Sequence, residues 1–324
     1  MKESGVTTER GLASAVVVHY GRREILTRLL ETLAAHPDAR LLRELIVVDN
    51  TRELSAAALA AHASSMGDVD LVLETGRSPS YSSAVNAGVS RATTGVLIVM
   101  NNDLEWTSDG SLAPLLKTLE TPDVGVAGPA LVYPNGGWQR ASGRVPSALS
   151  ALRSLFLLDT LAERRAGARW SSGGPRRVRR VEYVDGACMA IRRECFRELG
   201  GFDESFRFYA EDADFCLRAR RGGWSVVLDE RAVVAHSRGA SSTAGDVSPE
   251  YERRLLRAKT DLVRKHAGPA RARLYASLLR ASLAVRALLT TALAAIRPSE
   301  AASERARRAR ARLRAVRGAC EPAS

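Results

Sequence analysis

Cysteine is scarce in this chain: four residues in 324, at positions 188, 195, 216 and 320. None forms the close pairs of a zinc module, and four are too few for a disulfide framework at this length, so both are excluded and the thiols read as reduced and buried. The N-terminal stretch MKESGVTTERG has no apolar signal core, and the first apolar run, Ala13 to Val18, is far too short to cross a bilayer. These two absences lead to the expectation of a cytoplasmic protein. No G-x-G-x-x-G follows the first apolar run and no G-x-x-x-x-G-K-[ST] occurs anywhere, which removes the usual warrants for a dinucleotide oxidoreductase and for a P-loop NTPase.

The composition is that of a globular protein, long enough for one large α/β domain with an appendage. The formal net charge of +12 is unevenly placed. Gly143 to Arg180 holds nine Arg against Asp159 and Glu163 (+7), and Glu300 to Gly318 holds seven Arg against two Glu (+5), so these segments carry the whole excess. A neutral body with two basic attachments argues against nucleic acid as a partner. It favours local attraction to an anionic surface or a phosphate-bearing substrate, or simply two solvated basic helices.

Short apolar runs alternate with helical patterns through the first 130 residues, the signature of βαβ units and a largely parallel sheet. Strands are expected at Ala13 to Val18, Leu45 to Val48, Val69 to Leu73, Gly95 to Met100 and Val124 to Ala127. Between them, Ile25, Leu29, Leu30 and Leu33 share one helical face, and Ser80 to Ala92 reads as a second helix. Gly143 to Arg180 then reads as a basic amphipathic insertion with a mobile end. Regular structure is expected again at Val181 to Ile191, in a helix to Leu199, in a helix from Glu211 to Arg221, and in the runs Trp224 to Leu228 and Ala232 to His236. From Ser248 the chain reads as helical throughout.

Several polar groups close these elements. Asn101-Asn102-Asp103 comes directly after the run Gly95 to Met100, where ligands bind at the carboxyl edge of open α/β sheets. Its oxygen donors suit a hard divalent cation holding a diphosphate, or the hydrogen bonds of an ordinary turn. Glu211-Asp212-Ala213-Asp214 opens a helix, where carboxylates complement exposed N–H groups and Asp214 can pair with Arg218. Three acids in four residues exceed what a cap requires, and one of them can serve as a general base. His236 is either an ordinary hydrogen-bonded residue or a donor to a metal. Asp49 either caps the next helix or accepts from a nucleobase edge.

Taken in order, Val-Val-Val-His-Tyr (16 to 20), Ile-Val-Val-Asp-Asn (46 to 50), Ser-Ala-Val-Asn-Ala-Gly (83 to 88), Val-Met-Asn-Asn-Asp (99 to 103), Asp-Gly-Ala-Cys-Met-Ala-Ile-Arg-Arg (185 to 193), Gly-Gly-Phe-Asp-Glu (200 to 204), Tyr-Ala-Glu-Asp-Ala-Asp-Phe-Cys-Leu-Arg (209 to 218) and His-Ser-Arg-Gly-Ala-Ser (236 to 241) resemble glycosyltransferase family 2 in its rhamnosyltransferase-like branch. The resemblance covers roughly Ala13 to Ser242. It implies a GT-A fold, a nucleotide-sugar donor, a Mg²⁺ or Mn²⁺ ion, and inversion at the anomeric carbon. It also implies that His19, Tyr20, Asp49, Asn86, Asn102 and Asp103 contact the donor and that Asp103 and His236 hold the metal. Asp212 would be the general base, with Glu211 and Trp224 shaping the acceptor side. The metal turn departs from the family pattern, because Asn101 stands where a first acid is usual. The loop after the second strand departs too, with Arg52 in place of Ser.

The expected organisation is a GT-A domain over 1–245, comprising a nucleotide-sugar half at 13–130, the basic insertion at 143–180 and an acceptor half at 181–245. Residues 246–324 form a helical, Arg-rich extension. In it Leu274, Leu278, Ala281, Val285, Leu288, Ala292 and Ile296 recur at spacings of three and four, giving an apolar face that packs on the protein, on a second copy, or on an anionic membrane. The stretch Ala281 to Ile296 is too short to span a bilayer, so peripheral attachment at the inner face of the plasma membrane is the expected membrane mode. The expected activity is transfer of a sugar, such as rhamnose from a dTDP-sugar, to a glycan or lipid-linked acceptor. The alternatives are a UDP- or GDP-sugar transferase acting on a soluble acceptor, and a catalytically weak membrane-associated scaffold of the same fold.

Overall fold

The computed structural model describes residues 11–55, 59, 62, 69–75, 80–107, 111–237 and 249–317. The N-terminal stretch read for a signal core, positions 238–241 of the last motif, and Cys320 lie outside the described residues. The chain divides into two compact units, one of Met1–Gly143, Gly174–Arg207 and Glu211–Thr243, the other of Arg144–Gly173, Phe208–Ala210 and Ala244–Ser324.

The first unit is built on a mixed sheet. Its strands are β1 (Ala13–His19), β2 (Leu42–Asp49), β3 (Asp70–Thr75), β4 (Val96–Asn101), β5 (Leu104–Glu105), β6 (Val124–Val132), β7 (Trp138–Gln139), β8 (Ser142–Gly143), β9 (Val178–Arg180), β10 (Tyr183–Val184), β11 (Cys188–Arg192) and β12 (Ser225–His236). The main sheet runs β3-β2-β1-β4-β11-β6-β12-β5, with β7 on β6 and β9 on β12, while β8 and β10 form a separate ribbon. β1, β2, β3 and β4 are parallel, as are β6 and β12. β11 lies antiparallel between β4 and β6. All seven residues of β1 and all nine of β6 are buried, which is why these strands read as mainly apolar runs rather than as alternation.

Helices α1 (Arg23–Ala34), α2 (Tyr81–Arg91), α3 (Ala113–Leu119), α4 (Ala148–Leu155), α5 (Leu158–Ser171), α6 (Arg193–Glu198) and α7 (Glu211–Arg221) occur in the first two thirds of the chain, with a 3₁₀ turn at Pro37–Leu41. α1 buries Leu26, Leu29, Leu30 and Leu33, and Ile25 at its start is only half-buried. α2 starts where Ser80 caps the backbone N–H of Ser83. Aromatic rings of Phe196, Phe202 and Phe215, with centroids 5.0–6.0 Å apart, tie α6 and α7 together.

Two expectations are corrected by the strand pairing. The stretch Val181 to Ile191 is not one element: Asp185-Gly186-Ala187 breaks it, sending β10 to the small ribbon and β11 into the main sheet. Conversely, the runs Trp224 to Leu228 and Ala232 to His236 belong to one strand. In β12, Asp229 faces Pro129 but Val233 faces Ala130, so a bulge takes up the offset. Asp229 is fully buried in that bulge, accepting hydrogen bonds from Thr118 Oγ1 (2.7 Å) and Arg231 Nη2 (2.7 Å).

The second unit is helical, made of α4, α5, α8 (Pro249–Ala267), α9 (Pro269–Ile296) and α10 (Glu300–Arg317). Ala151, Val263, Ala272 and Tyr275 form its small core, with Leu278 and Leu279 packed on it. Ser147 and Ser150 form a reciprocal cap at the start of α4. The segment 143–180 thus divides: α4 and α5 join the helical unit, and β9 joins the sheet. α9 is one unbroken helix of 28 residues with a window of mean hydropathy 1.5, long and apolar enough by length and composition to cross a membrane. The expectation that this segment is too short takes in Ala281 to Ile296 alone. The helix begins twelve residues earlier, where Pro269 occupies its first position and needs no N–H partner.

Candidate active site

Parallel strands end together. β1, β2 and β4 deliver His19, Asp49 and Asn101 to one edge of the sheet. β11 runs the other way, so the loop that precedes it, Asp185-Gly186-Ala187, arrives at that same edge, where the Asn101 N–H donates to the Ala187 carbonyl (2.9 Å). Polar groups from opposite ends of the sequence are thereby concentrated where an open α/β sheet binds its ligands.

Asp103 and His236 meet through the short antiparallel ladder of β5 with β12, in which Leu104 pairs with His236 and Glu105 with Ala235. The Ser237 N–H donates to the Asp103 carbonyl (2.9 Å), and Gln139 Nε2 donates to the His236 carbonyl (2.5 Å), fixing both backbones. Asp103 Oδ1 lies 3.3 Å from His236 Nε2, with both side chains buried. The two atoms are close without the alignment of a hydrogen bond. Asp103 Oδ1 and His236 Nδ1 are buried with no hydrogen-bond partner among the described residues. A carboxylate oxygen and an imidazole nitrogen left this way in a buried site are what a cation or a ligand satisfies.

Across the same edge, Asn102 Nδ2 donates to His19 Nδ1 (3.0 Å) and to the Tyr20 carbonyl (3.0 Å). Because an amide nitrogen only donates, His19 Nδ1 accepts and the ring proton sits on Nε2. Burial pushes the His19 imidazole below its ordinary pKa, outweighing the nearby Asp49 and Glu53 carboxylates that act in the other direction. Tyr20 itself is half-exposed, at 52%. Asp49 is buried and fully engaged with its own loop: Oδ1 accepts from the N–H and Oγ1 of Thr51 (2.8 and 2.6 Å), and Oδ2 from the Leu54 N–H (2.8 Å). Burial alone would raise its pKa, but these hydrogen bonds win and hold the carboxyl below its usual value. Arg52, in the same loop, has φ of 61°, a left-handed conformation that is uncommon for a non-glycine residue.

The acidic helix start supplies the third group. Asp212 Oδ2 accepts from the Gly186 N–H (3.0 Å), and Tyr81 Oη donates to the Gly186 carbonyl (3.2 Å), so the loop before β11 is clasped by α7 and α2. Asp214 is fully buried and paired with Arg218 (2.7 Å), whose other nitrogens donate to the Leu199 and Gly201 carbonyls; it is a structural ion pair. Glu211 is buried, and its Oε2 has no hydrogen-bond partner among the described residues. Its pKa is pushed up to about 8, first by burial and then by Asp212 and Asp185. Burial and the same acids raise the Tyr81 phenol well above its ordinary value. The helix is entered through Tyr209 and Ala210, both left-handed (φ 69° and 67°), a strained approach of the kind that clusters at functional sites.

Two expected contact residues are engaged within the fold. Asn86 is a bidentate clamp on Phe202, accepting from its N–H (2.9 Å) and donating to its carbonyl (2.9 Å), with a third bond to Glu204. Gly201 makes room for it: its φ is 78°, and a Cβ there would stand 2.7 Å from Asn86 Oδ1. Trp224 precedes β12, whereas His236 ends it. Along the ladder with β6, Ser225 pairs with Val124 and Ala235 with Val132, so at about 3.3 Å per residue Trp224 and His236 lie more than roughly 25 Å apart, on opposite edges of the sheet. Trp224 packs under Gly125 and Arg192 and donates to Glu198 (2.9 Å), which makes it a structural residue rather than part of the acceptor side. Asp185, Tyr81 and Gln139 join the site although sequence reasoning does not pick them out. Asp185-Gly186 lies inside one of the family-like motifs, and Tyr81 comes directly after the Ser80 cap, but no sequence pattern marks Gln139.

A divalent cation commonly takes one or two protein groups and fills the rest of its shell with substrate phosphates and water. Asp103 and His236 fit that role, and Asn101 adds no charge. Among the described residues no group of three His, Cys, Asp or Glu forms an all-protein metal site. The described cysteines are free and buried, with the thiols of Cys188 and Cys195 pushed up by burial to about 12, which leaves them unreactive.

Comparison with known proteins identifies relatives of this chain. An O-antigen biosynthesis protein, RfbC, of Myxococcus xanthus is 28% identical over 242 residues, covering 74% of this chain and 18% of the relative. An N-acetylglucosaminyl-diphospho-decaprenol L-rhamnosyltransferase of Mycobacterium tuberculosis is 29% identical over 237 residues, covering 67% of this chain and 74% of the relative. Among solved structures, a mannosyltransferase from Pyrobaculum calidifontis in complex with GDP-Man and Mn²⁺ superposes with a TM-score of 0.61 at 17% identity, over 96% of this chain and 87% of that one. That likeness extends the GT-A fold to this protein. The family described as glycosyl transferase family 2 matches residues 14–200, more than half of the sequence, and the chain belongs to it.

Proposed function

We propose that the protein is an inverting, divalent-metal-dependent glycosyltransferase that moves a deoxyhexose such as rhamnose from a dTDP-sugar to a glycan or lipid-linked acceptor. The observation that carries this reading is the buried Asp103–His236 pair, brought together at 3.3 Å beside an acidic helix start. Membership of family 2 supports sugar transfer, and the rhamnosyltransferase among the relatives supports the sugar and the lipid-linked acceptor. Mn²⁺ or Mg²⁺ bound to Asp103 and His236 would neutralise charge on the departing nucleoside diphosphate. His19, with its proton on Nε2, offers the donor a neutral hydrogen-bond donor, and Tyr20 offers a half-exposed ring beside it. Asp49 shapes the base end by fixing its loop. Asp212, held by the Gly186 N–H, takes the proton from the attacking acceptor hydroxyl as general base. Burial and the neighbouring Asp212 and Asp185 raise the Glu211 pKa, which favours its protonated form on the acceptor side.

The test is thermal stabilisation by dTDP, UDP and GDP with and without Mn²⁺, then donor hydrolysis over a panel of nucleotide sugars. Metal-enhanced stabilisation with preference for a dTDP-sugar is expected. Preference for a UDP- or GDP-sugar would replace the donor assignment and leave the transferase. A second reading, a catalytically weak scaffold of the same fold, draws on Asn101 and on the lack of a three-residue metal cluster among the described residues. Absence of any nucleotide response would favour it.

A further inference from the structure

Among the described residues, eleven of the fourteen exposed large hydrophobic side chains belong to the helical unit; Tyr20, Tyr133 and Val178 are the other three. Five of the eleven are packed into thirteen residues of sequence. Leu149 (64% exposed) and Leu152 on α4 and Phe156 (66%) at its C-cap recur at spacings of three and four, on the side away from buried Ala151, and Leu158 and Leu161 are exposed at the start of α5. Leu157 turns the chain between the two helices in a left-handed conformation (φ 57°), so α5 starts directly where α4 ends and the exposed side chains of both lie close in sequence about that turn. Arg165 and Arg169 continue from Leu158 and Leu161 on the same side of α5 by helical spacing. Over Arg144–Gly173 there are five Arg against Asp159 and Glu163.

An exposed apolar stripe bordered by Arg is the pattern of a helix lying in a membrane interface, where leucine and phenylalanine enter the acyl region and guanidinium groups stay at the phosphates. A second copy of this chain is the weaker occupant. A two-fold contact would set this Arg-rich segment against itself and bring like charges together. The tail helix α10 is also less suited than its composition implies. Arg307 and Arg308 pair with Glu304 on the same helix, Arg310 bonds to Thr291 and Arg312 to Glu252 (2.6 Å), so part of its charge is already matched.

We propose that the α4–α5 segment, through Leu149, Leu152, Phe156, Leu158 and Leu161, docks the protein on an anionic lipid surface. This deepens the lipid-linked acceptor reading and rests on it for its purpose, since docking would hold the enzyme where such acceptors reside.

The experiment uses the full chain without donor or acceptor, co-sedimented with phosphatidylcholine vesicles with or without phosphatidylglycerol. Binding should require phosphatidylglycerol and fall by about tenfold or more in Leu152→Glu/Phe156→Glu, because two buried apolar contacts become charged. In a second variant, Phe156→Trp, the new indole should shift to the blue on vesicles and be quenched by brominated acyl chains. Undiminished binding of the double variant, or an unquenched Trp in vesicle-bound protein, would overturn the proposal. So would a dimer that the double variant dissociates without any vesicle binding, which would assign the face to a second copy. Donor hydrolysis measured in parallel reports on the transferase reading by itself, so either reading can fail alone.

Discussion

Replacing Asp103 by Asn tests the site most directly, because it removes one charge and keeps the shape that the β5–β12 ladder holds. The Asp103–His236 contact, at 3.3 Å, is not aligned as a hydrogen bond, so the metal-free variant should unfold at nearly the wild-type temperature. Loss should appear only when a cation is bound. A charge-assisted contact contributes about 1.5–3 kcal/mol, and at about 1.4 kcal/mol per tenfold that weakens binding about 10- to 100-fold. Calorimetric titration with dTDP in Mn²⁺ should show this loss for Asp103→Asn and for His236→Gln, with no change in either variant when EDTA replaces the metal. If both groups hold one ion, the double variant should lose less than the sum of the singles, with a coupling of about 0.5–3 kcal/mol. Equal losses with and without metal, or strictly additive losses, would refute a shared cation site.

Asp212→Asn should retain the fold and nucleotide binding while lowering turnover by about 10²- to 10⁴-fold; donor-to-acceptor transfer within a few-fold of wild type would remove Asp212 from the role of base. Gly88→Ala should destabilise the protein by about 1–3 kcal/mol through overpacking, because its Cβ would stand 2.4 Å from Val16 Cγ1 and 2.9 Å from Val48 Cγ2; an unchanged urea midpoint would contradict that packing. Glu44 is buried and accepts from Ser14 Oγ and from the N–H and Oγ1 of Thr93 (2.5, 2.6 and 2.9 Å), hydrogen bonds that outweigh burial and lower its pKa below the ordinary 4.5. Its contribution is therefore complete above pH 4.5 and lost as pH falls through the lower folded value, and Glu44→Gln should flatten the dependence of thermal midpoint on pH in that window.

The strands of the first half were legible because burial on both faces leaves a mainly apolar run, and β1 and β4 are such runs. The pairing that makes the site was not legible. β5 is two residues long and carries no periodicity, yet it is what sets Asp103 beside His236. Trp224 misleads for a related reason: its place just after the acidic helix suggests nearness to the site, but strand direction sends it to the opposite edge. Asn86 lies in a motif whose order was informative, while the use of its amide depends on where Gly201 and Phe202 return. In α9 the stripe containing Leu274, Leu288 and Ile296 was visible as a repeat. The sequence did not say whether another element covers it, and in the fold these three side chains are 51%, 71% and 74% exposed.

The reversed strand β11 bears on how the protein is made. It inserts between β4 and β6, so those two strands, synthesised well before it, have no hydrogen-bonded connection to each other until Arg192 has emerged from the ribosome. β6 then waits for β12 to cover its other side, and β5 has no ladder partner until His236 is made. A nascent chain in that interval exposes two apolar strand edges, the kind of surface that invites aggregation and engages chaperones. Vectorial synthesis thus completes the β1–β4 half first and the Asp103–His236 pair last, and a product that stops short of β12 would carry the first half of the site without the histidine.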